Sequence, residues 1–120
     1  MPQHVTIERP SYRFTVPEQA RQFPTDPKSF SMRPITANEE RRANEVAEGA
    51  KTPLAYELLR QAVHEIDGQA VDWNTNAPEW VERCGPKVRQ LAFEAFARVN
   101  RPDESDTNAF LASMTMSVSG

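Results

Sequence analysis

Apolar and polar residues alternate in the first third of the chain, and this period of two is typical of extended strands. The alternation covers Val5–Ile7, Tyr12–Val16 and Phe30–Met32. We expect these runs to pair as a two-stranded ribbon whose connection, residues 17–27, contains three prolines. An isolated ribbon is only marginally stable, so this one has to pack on the helices or on another chain.

From residue 36 onward the apolar period becomes helical. Thr36-Ala37-Asn38-Glu39 forms a capping box and predicts a charged helix that ends near Gly49. Thr52-Pro53 is a second start signal, and the apolar rows that follow predict a core helix reaching His64 or Ile66. The dipeptide Asp67-Gly68 then predicts a turn, because this pair readily adopts positive φ.

Three further helices are expected in the second half. A short one runs from about Pro78 to Cys84 and ends at Gly85. The strongest opens at Gly85-Pro86, with its apolar stripe on Val88, Leu91, Ala92, Ala95, Phe96 and Val99. The last follows Pro102 and should carry Ala109–Leu111 and Met114 onto the bundle. Residues 115–120 lack helix signals.

Together these elements predict a mainly α fold: a small bundle of four to five helices with an N-terminal two-stranded β ribbon and extended termini. Six of the ten prolines fall in the first 34 residues, so the core should lie C-terminal to about residue 35. We therefore divide the chain into a Pro-rich arm with the ribbon (1–34), a helical domain (35–114), and a flexible or partner-bound tail (115–120).

Charge and cysteine content narrow the function classes. The net charge is −3 and acids and bases are interleaved, which gives no basic field for direct binding of nucleic acid. The single Cys84 excludes an internal disulfide, and no apolar run is long enough for a signal peptide or a membrane span. We expect a cytoplasmic protein in which Cys84 packs as a small apolar residue rather than acting as a reactive thiol.

Signatures of catalysis are lacking. The sequence has no phosphate-binding glycine loop, no His-Glu-x-x-His and no Cys-x-x-Cys motif. The adjacent acids Glu39-Glu40 and Asp103-Glu104 lie in the first turns of helices, where the helix dipole accounts for them. His4 and His64 are sixty residues apart with no neighbour at ligand spacing. We predict no catalytic residue, no metal site and no cofactor.

Binding to other proteins is the remaining function, and apolar side chains outside the expected core are the candidates to mediate it. These are Tyr12, Phe14, Phe23, Phe30, Trp73, Phe93 and Val118. For several of them both roles stay open: Phe93 packs against the ribbon or a partner, and Trp73 covers the core edge or anchors a partner. The segment around Val118 is either free or adds as a strand to a neighbour.

The order of features resembles the small tail assembly chaperones of tailed bacteriophages. The likeness rests on Arg33-Pro34-Ile35-Thr36 before an acidic helix, on Ile66-Asp67-Gly68, and on a late helix with Phe110-Leu111, and it covers residues 30 to about 113. It implies a protein of the host cytoplasm that binds the tape-measure protein or tail-tube subunits during assembly and leaves before the particle matures.

Two other functions are weighed. A permanent tail or baseplate component, present in the virion, would use the Pro-rich arm and the strand-like tail to lie along neighbouring subunits. A small helical nucleic-acid-binding regulator would use Lys87, Arg89, Arg98 and Arg101 on the helix after Pro86, although these residues fall short of a dense basic stripe. A homo-oligomer is compatible with either of the tail functions.

Overall fold

A computed structural model describes residues 8–71 and 79–114. Four strands, β1 (Tyr12–Thr15), β2 (Ser29–Met32), β3 (Val63–Ile66) and β4 (Gln69–Ala70), form one antiparallel sheet in the order β1-β2-β3-β4. A 3-10 turn (Glu18–Ala20) lies between β1 and β2. The helices are α1 (Ala37–Ala50), α2 (Leu54–Ala62), α3 (Trp80–Arg83), α4 (Pro86–Asn100) and α5 (Glu104–Ala112).

The predicted fold class is wrong, because the chain is an α+β protein with a four-stranded sheet rather than a helical bundle with a two-stranded ribbon. The error lies at the second helix, which was expected to reach His64 or Ile66 but ends at Ala62. The next four residues form β3, which pairs with β2 at Phe30↔Ile66 and Met32↔Val63. Pairing with β2 therefore overrides the helical period.

The turn between β3 and β4 explains why the chain reverses there. Asp67 has φ 52° and Gly68 has φ 81°, and positive φ at both central residues is what a two-residue hairpin of the right twist requires. The Asp67 carboxylate also accepts hydrogen bonds from the amides of Lys28 (2.7 Å) and Ser29 (3.1 Å). The predicted turn is confirmed, but it closes a hairpin rather than separating two helices.

The core includes the N-terminal segment. All four residues of β2 are buried, and Val16 and Ala20 join the same apolar cluster as Leu59, Val81 and Val88. The expectation that the core begins after about residue 35 is therefore wrong. The alternation in residues 12–16 and 30–32 marks strands of the central sheet, not an arm attached to a finished domain.

Two predicted helix starts are confirmed. Thr36 caps α1: its hydroxyl accepts a hydrogen bond from the Glu39 amide, and the Glu39 carboxylate accepts one from the Thr36 amide. α4 begins at Pro86, directly after Gly85. α1 ends one residue beyond the predicted Gly49, with Lys51 in the left-handed conformation (φ 57°). No helix within residues 8–71 and 79–114 has the length and apolar character to cross a bilayer.

The connection over residues 17–27 is held against the start of α4. The Asp26 carboxylate accepts from the amides of Gln22 (2.8 Å), Phe23 (3.1 Å) and Gly85 (2.9 Å), and the Gln22 side-chain oxygen accepts from the amide of Lys87 (3.2 Å). Helix termini leave amides without internal partners. Here side chains from the connection between β1 and β2 accept hydrogen bonds from these amides. Asp26 and Gly85, which form one of the bonds, are 59 residues apart in sequence.

The charge of Asp26 and the space around Gly85 are both restricted where the connection meets α4. Burial by itself raises the pKa of Asp26, but the amides of Gly85, Phe23 and Gln22 stabilise the carboxylate and hold the pKa below its ordinary value. A Cβ on Gly85 would lie 2.8 Å from the Gln22 side-chain oxygen and 3.1 Å from the Asp26 carboxylate. A larger residue would therefore crowd Asp26 and move the Gln22 side chain from its hydrogen bond to Lys87, which favours glycine here.

The last helix forms where it was predicted but packs differently from the prediction. α5 was expected to place Phe110, Leu111 and Met114 on the bundle, but every residue from Arg101 to Met114 is exposed. The helix forms where the start signals predicted it, yet it does not use its apolar residues for the core. That expectation is wrong.

We expect Asp26→Asn to lower the free energy of unfolding by about 2–3 kcal/mol at pH 7, since one amide group cannot accept all three hydrogen bonds as a carboxylate does. A group with a depressed folded pKa stabilises the fold above its unfolded pKa, and this stabilisation is lost as the pH falls through the folded pKa. Urea unfolding at pH 7 and at decreasing pH should therefore show the gap between wild type and variant closing in acid. The exposed Glu45→Gln is the control, and a gap independent of pH would contradict this role of Asp26.

We also expect Gly85→Ala to destabilise the fold by about 1–3 kcal/mol, because the new methyl group overlaps the Gln22 side chain. The matched change Gly49→Ala, in α1 with open space around it, should stabilise by about 0.5–1 kcal/mol. Thermal unfolding of both variants tests this. Equal changes in stability at the two glycines would show that the close approach of the loop to Gly85 does not affect the free energy of unfolding.

Candidate protein-interaction surface

Four of the predicted partner-binding residues lie before residue 31, and the structure separates them. Tyr12 on the edge strand β1 is 46% exposed, and Phe23 in the connection to β2 is 50% exposed. Phe14 is half-buried and stacks on Phe30 with ring centroids 5.6 Å apart. Phe30 is 2% exposed and also stacks on Trp80 (5.9 Å), so its side chain belongs to the core.

The other three predicted residues are spread along the chain. Phe93 on α4 is half-buried and stacks on Tyr56 of α2, with 6.1 Å between ring centroids, so it packs within the chain rather than against the strands. Trp73 and Val118 lie outside the described residues. The predicted residues thus do not form one surface.

Three exposed apolar side chains lie at the C-terminal end of α5 and just after it, and they were not among the predicted partner-binding residues. Phe110 is 74% exposed, Leu111 56% and Met114, two residues beyond the helix, 69%. Exposed apolar side chains that lie together are a feature of interaction sites in soluble proteins. These residues were expected to lie in the core of the bundle. A helix that packs on its own bundle and a helix that packs on a partner have the same apolar period, so the sequence pattern does not distinguish them.

Hydrogen bonds within the segment cap both ends of α5. The Asp103 carboxylate accepts from the amide of Asp106 (2.8 Å), and the Asp106 carboxylate accepts from the amide of Asp103 (3.1 Å). At the other end the Ser113 hydroxyl donates to the carbonyl of Phe110 (2.6 Å). Such a capping box satisfies the first amides of the helix from within the segment.

Net charge is concentrated in the same segment. Residues 1–102 contain 14 acidic and 14 basic residues, whereas residues 103–120 contain three acidic residues and no basic one. The three acids, Asp103, Glu104 and Asp106, all lie at the start of α5. α5 is therefore an acidic helix with an apolar C-terminal half.

A cleft of about 390 Å³ lies between β1 and α4. Apolar side chains from both elements line it, among them Phe14, Val16, Leu91 and Ala95, while Glu94 and Arg98 supply its charge. β1 reaches this position because it is the outermost strand of the sheet, next to β2. Arg98 is exposed and forms no ion pair within the described parts of the chain.

Ser11 and His64 form the arrangement closest to known catalytic groups. The Ser11 hydroxyl lies 2.6 Å from His64 Nε2, on the exposed side of the sheet. Burial and, next to it, the positive charge of Arg33 lower the pKa of His64. Within the described residues no carboxylate hydrogen-bonds His64, so the third group that orients the base in a nucleophilic triad is not provided.

Cys84 is buried, and its Sγ lies 3.6 Å from the carbonyl of Val81. Burial raises the pKa of the Cys84 thiol and favours the protonated form, which is the weaker nucleophile. Across residues 8–71 and 79–114 no three acidic, histidine or cysteine side chains are grouped to hold a metal ion.

Comparison of the sequence with protein-family models and with curated proteins, and of the fold with solved structures, finds no match.

We expect the double variant Phe110→Ser/Leu111→Ser to keep the free energy of unfolding within about 0.5 kcal/mol of wild type, because neither side chain packs in the core. Phe30→Ala, by contrast, should cost about 3–5 kcal/mol, as expected for a buried aromatic. Urea denaturation of the two variants at low protein concentration makes the comparison. A large loss in the double variant would show that α5 packs on its own chain.

Proposed function

We propose that this protein is a non-enzymatic factor of bacteriophage tail morphogenesis that binds other tail proteins through the apolar side of α5. Exposure of Phe110, Leu111 and Met114 on a locally capped helix is the observation that carries the proposal. The sequence resemblance to tail assembly chaperones supplies the setting, with the tape-measure protein or tail-tube subunits as partners.

The energetics favour a protein partner for α5. Burying a large apolar side chain completely contributes roughly 1.5–3 kcal/mol, so covering three side chains that are half to three-quarters exposed contributes about 3–6 kcal/mol before the entropic cost of association. The capping box of α5 satisfies its first amides from within the segment, which lowers the cost of ordering the helix on a partner.

Charge defines the partner further. The acids at the start of α5 repel a phosphate backbone and attract basic side chains, so the complementary surface is an apolar groove or helix with Lys or Arg at one end. An amphipathic helix laid into such a groove is a common mode of peptide recognition. A nucleic-acid-binding role for α4 has less support, because residues 1–102 are electrically balanced.

The binding test is co-purification with individual tail proteins. We expect the wild-type chain to retain the tape-measure protein or a tube subunit when the two are co-expressed, and Phe110→Ser/Leu111→Ser to lose it. Leu54→Ser is the matched control, because Leu54 is also an exposed apolar side chain (40%) but lies at the start of α2 and is not among the predicted partner-binding residues. Equal retention by the wild type and the α5 variant would overturn the role of α5.

Mass spectrometry of purified virions with a copy-number standard separates an assembly factor from a permanent component. An assembly factor that leaves the particle should be absent from virions and present with tail proteins in infected cells. Stoichiometric presence in virions would instead establish a permanent tail or baseplate component. A salt-dependent gel shift at physiological ionic strength would favour the nucleic-acid function.

A further inference from the structure

We propose that the cleft between β1 and α4 is a docking site for α5 of a second copy of this chain, so that two copies exchange α5 reciprocally. The proposal is independent of the tail-assembly function, because it concerns two surfaces of the same chain. One is the apolar C-terminal half of α5, which its own core does not cover, and the other is an apolar cleft that no described element fills.

The apolar surfaces match in chemistry and size. Phe110 and Leu111 lie in the last turn of α5 and Met114 follows its C-cap, and the cleft is lined by Phe14, Val16, Leu91 and Ala95. Its volume of about 390 Å³ lies within the range of cavities that accept compact apolar groups. Phe14 is held in place by its stack on buried Phe30, so one wall of the cleft is preformed.

Charge favours one orientation of the helix. The acids Asp103, Glu104 and Asp106 occupy only the start of α5, and residues 107–114 carry no charge. With α5 antiparallel to α4, its acidic start meets Arg98 and the following Arg101, and its uncharged half passes Glu94. The dipoles of the two helices are then antiparallel, which is the favourable arrangement for neighbouring helices.

The linker favours a second copy over the chain's own α5. Only Arg101, Pro102 and Asp103 separate the two helices. Arg101 (φ −117°, ψ 142°) and Asp103 (φ −84°, ψ −178°) are extended, and proline fixes the φ of the residue between them. An extended linker leads α5 away from α4 rather than back along it. Exchange of an identical element between two copies needs no change in this linker and is a low-cost route to a dimer.

Reciprocity also increases the buried area. A single helix in a single cleft forms a small interface, whereas a two-fold exchange buries both helices and both clefts. This doubling brings the contact toward the roughly 1,200–2,000 Å² of a standard stable interface. The expected assembly is therefore a closed dimer rather than an open chain of copies.

The first test is the mass of the full-length protein in solution. Light scattering coupled to size exclusion should show a concentration-dependent dimer for the wild type. Phe110→Ser/Leu111→Ser should be monomeric, with dimerisation weakened by about tenfold or more, as expected when anchor residues are removed. Leu54→Ser, an exposed apolar position at the start of α2 that does not line the cleft, should dimerise like the wild type. A wild type that is monomeric at every concentration overturns the proposal, and so does an α5 variant that still dimerises.

The second test locates the receiving site. A fluorescently labelled peptide of residues 101–114 should bind the full-length Phe110→Ser/Leu111→Ser protein, whose clefts are free. Binding should weaken about tenfold in that protein when Leu91→Ala removes an apolar contact or Arg98→Glu reverses the rim charge. Circular dichroism confirms that these variants are folded. Unchanged peptide binding in both cleft variants overturns the assignment of the cleft.

The two proposals fail separately. The cleft variants should weaken self-association by about tenfold while α5 remains available to tail proteins, so co-purification with those partners is expected to persist. If the cleft variants lose dimerisation but still bind the partner, the cleft serves self-association and not partner binding. A dimer in a protein that binds no tail component would leave the cleft assignment standing and overturn the proposed function alone.

Discussion

The buried carboxylate of Asp26 joins segments that are far apart in sequence, and the position of the sheet relative to α4 depends on it. Its oxygens accept from the amides of Gln22 and Phe23 in the connection between β1 and β2 and from Gly85 at the start of α4. Because α4 has no side-chain cap of its own, the connection stabilises both the helix terminus and its own path. β1 is thereby fixed next to α4, and the cleft lies between them.

β2 connects this arrangement to the rest of the core. It pairs with β1 on one side and with β3 on the other, and all its residues are buried. Phe30 stacks on both Phe14 and Trp80, so the aromatic wall of the cleft continues into the interior. A rigid cleft follows from this continuity, because the wall cannot shift without disturbing the core.

α5 stands apart from that core in both packing and charge. Its ends are capped from within the segment, its N-cap Asp103 and first turn together carry three acids that equal the net charge of the chain, and its apolar residues are exposed. A segment with these properties is suited to exchange between binding sites, whether on a second copy or on another protein. Occupation of α5 by one of them excludes the other, so self-association would compete with partner binding.

Sequence by itself determined the local elements of this protein and the lack of known catalytic motifs. The starts of α1 and α4 and the Asp67-Gly68 turn were predictable, because caps, prolines and positive-φ residues act within a few positions. Only the tertiary structure decided that residues 63–66 form a strand, since that depends on pairing with β2. It also decided that Phe30 is buried and Phe110 exposed. Both are aromatic residues in apolar periods, and which of them meets water depends on what packs against each, a non-local property that the period of a sequence does not encode.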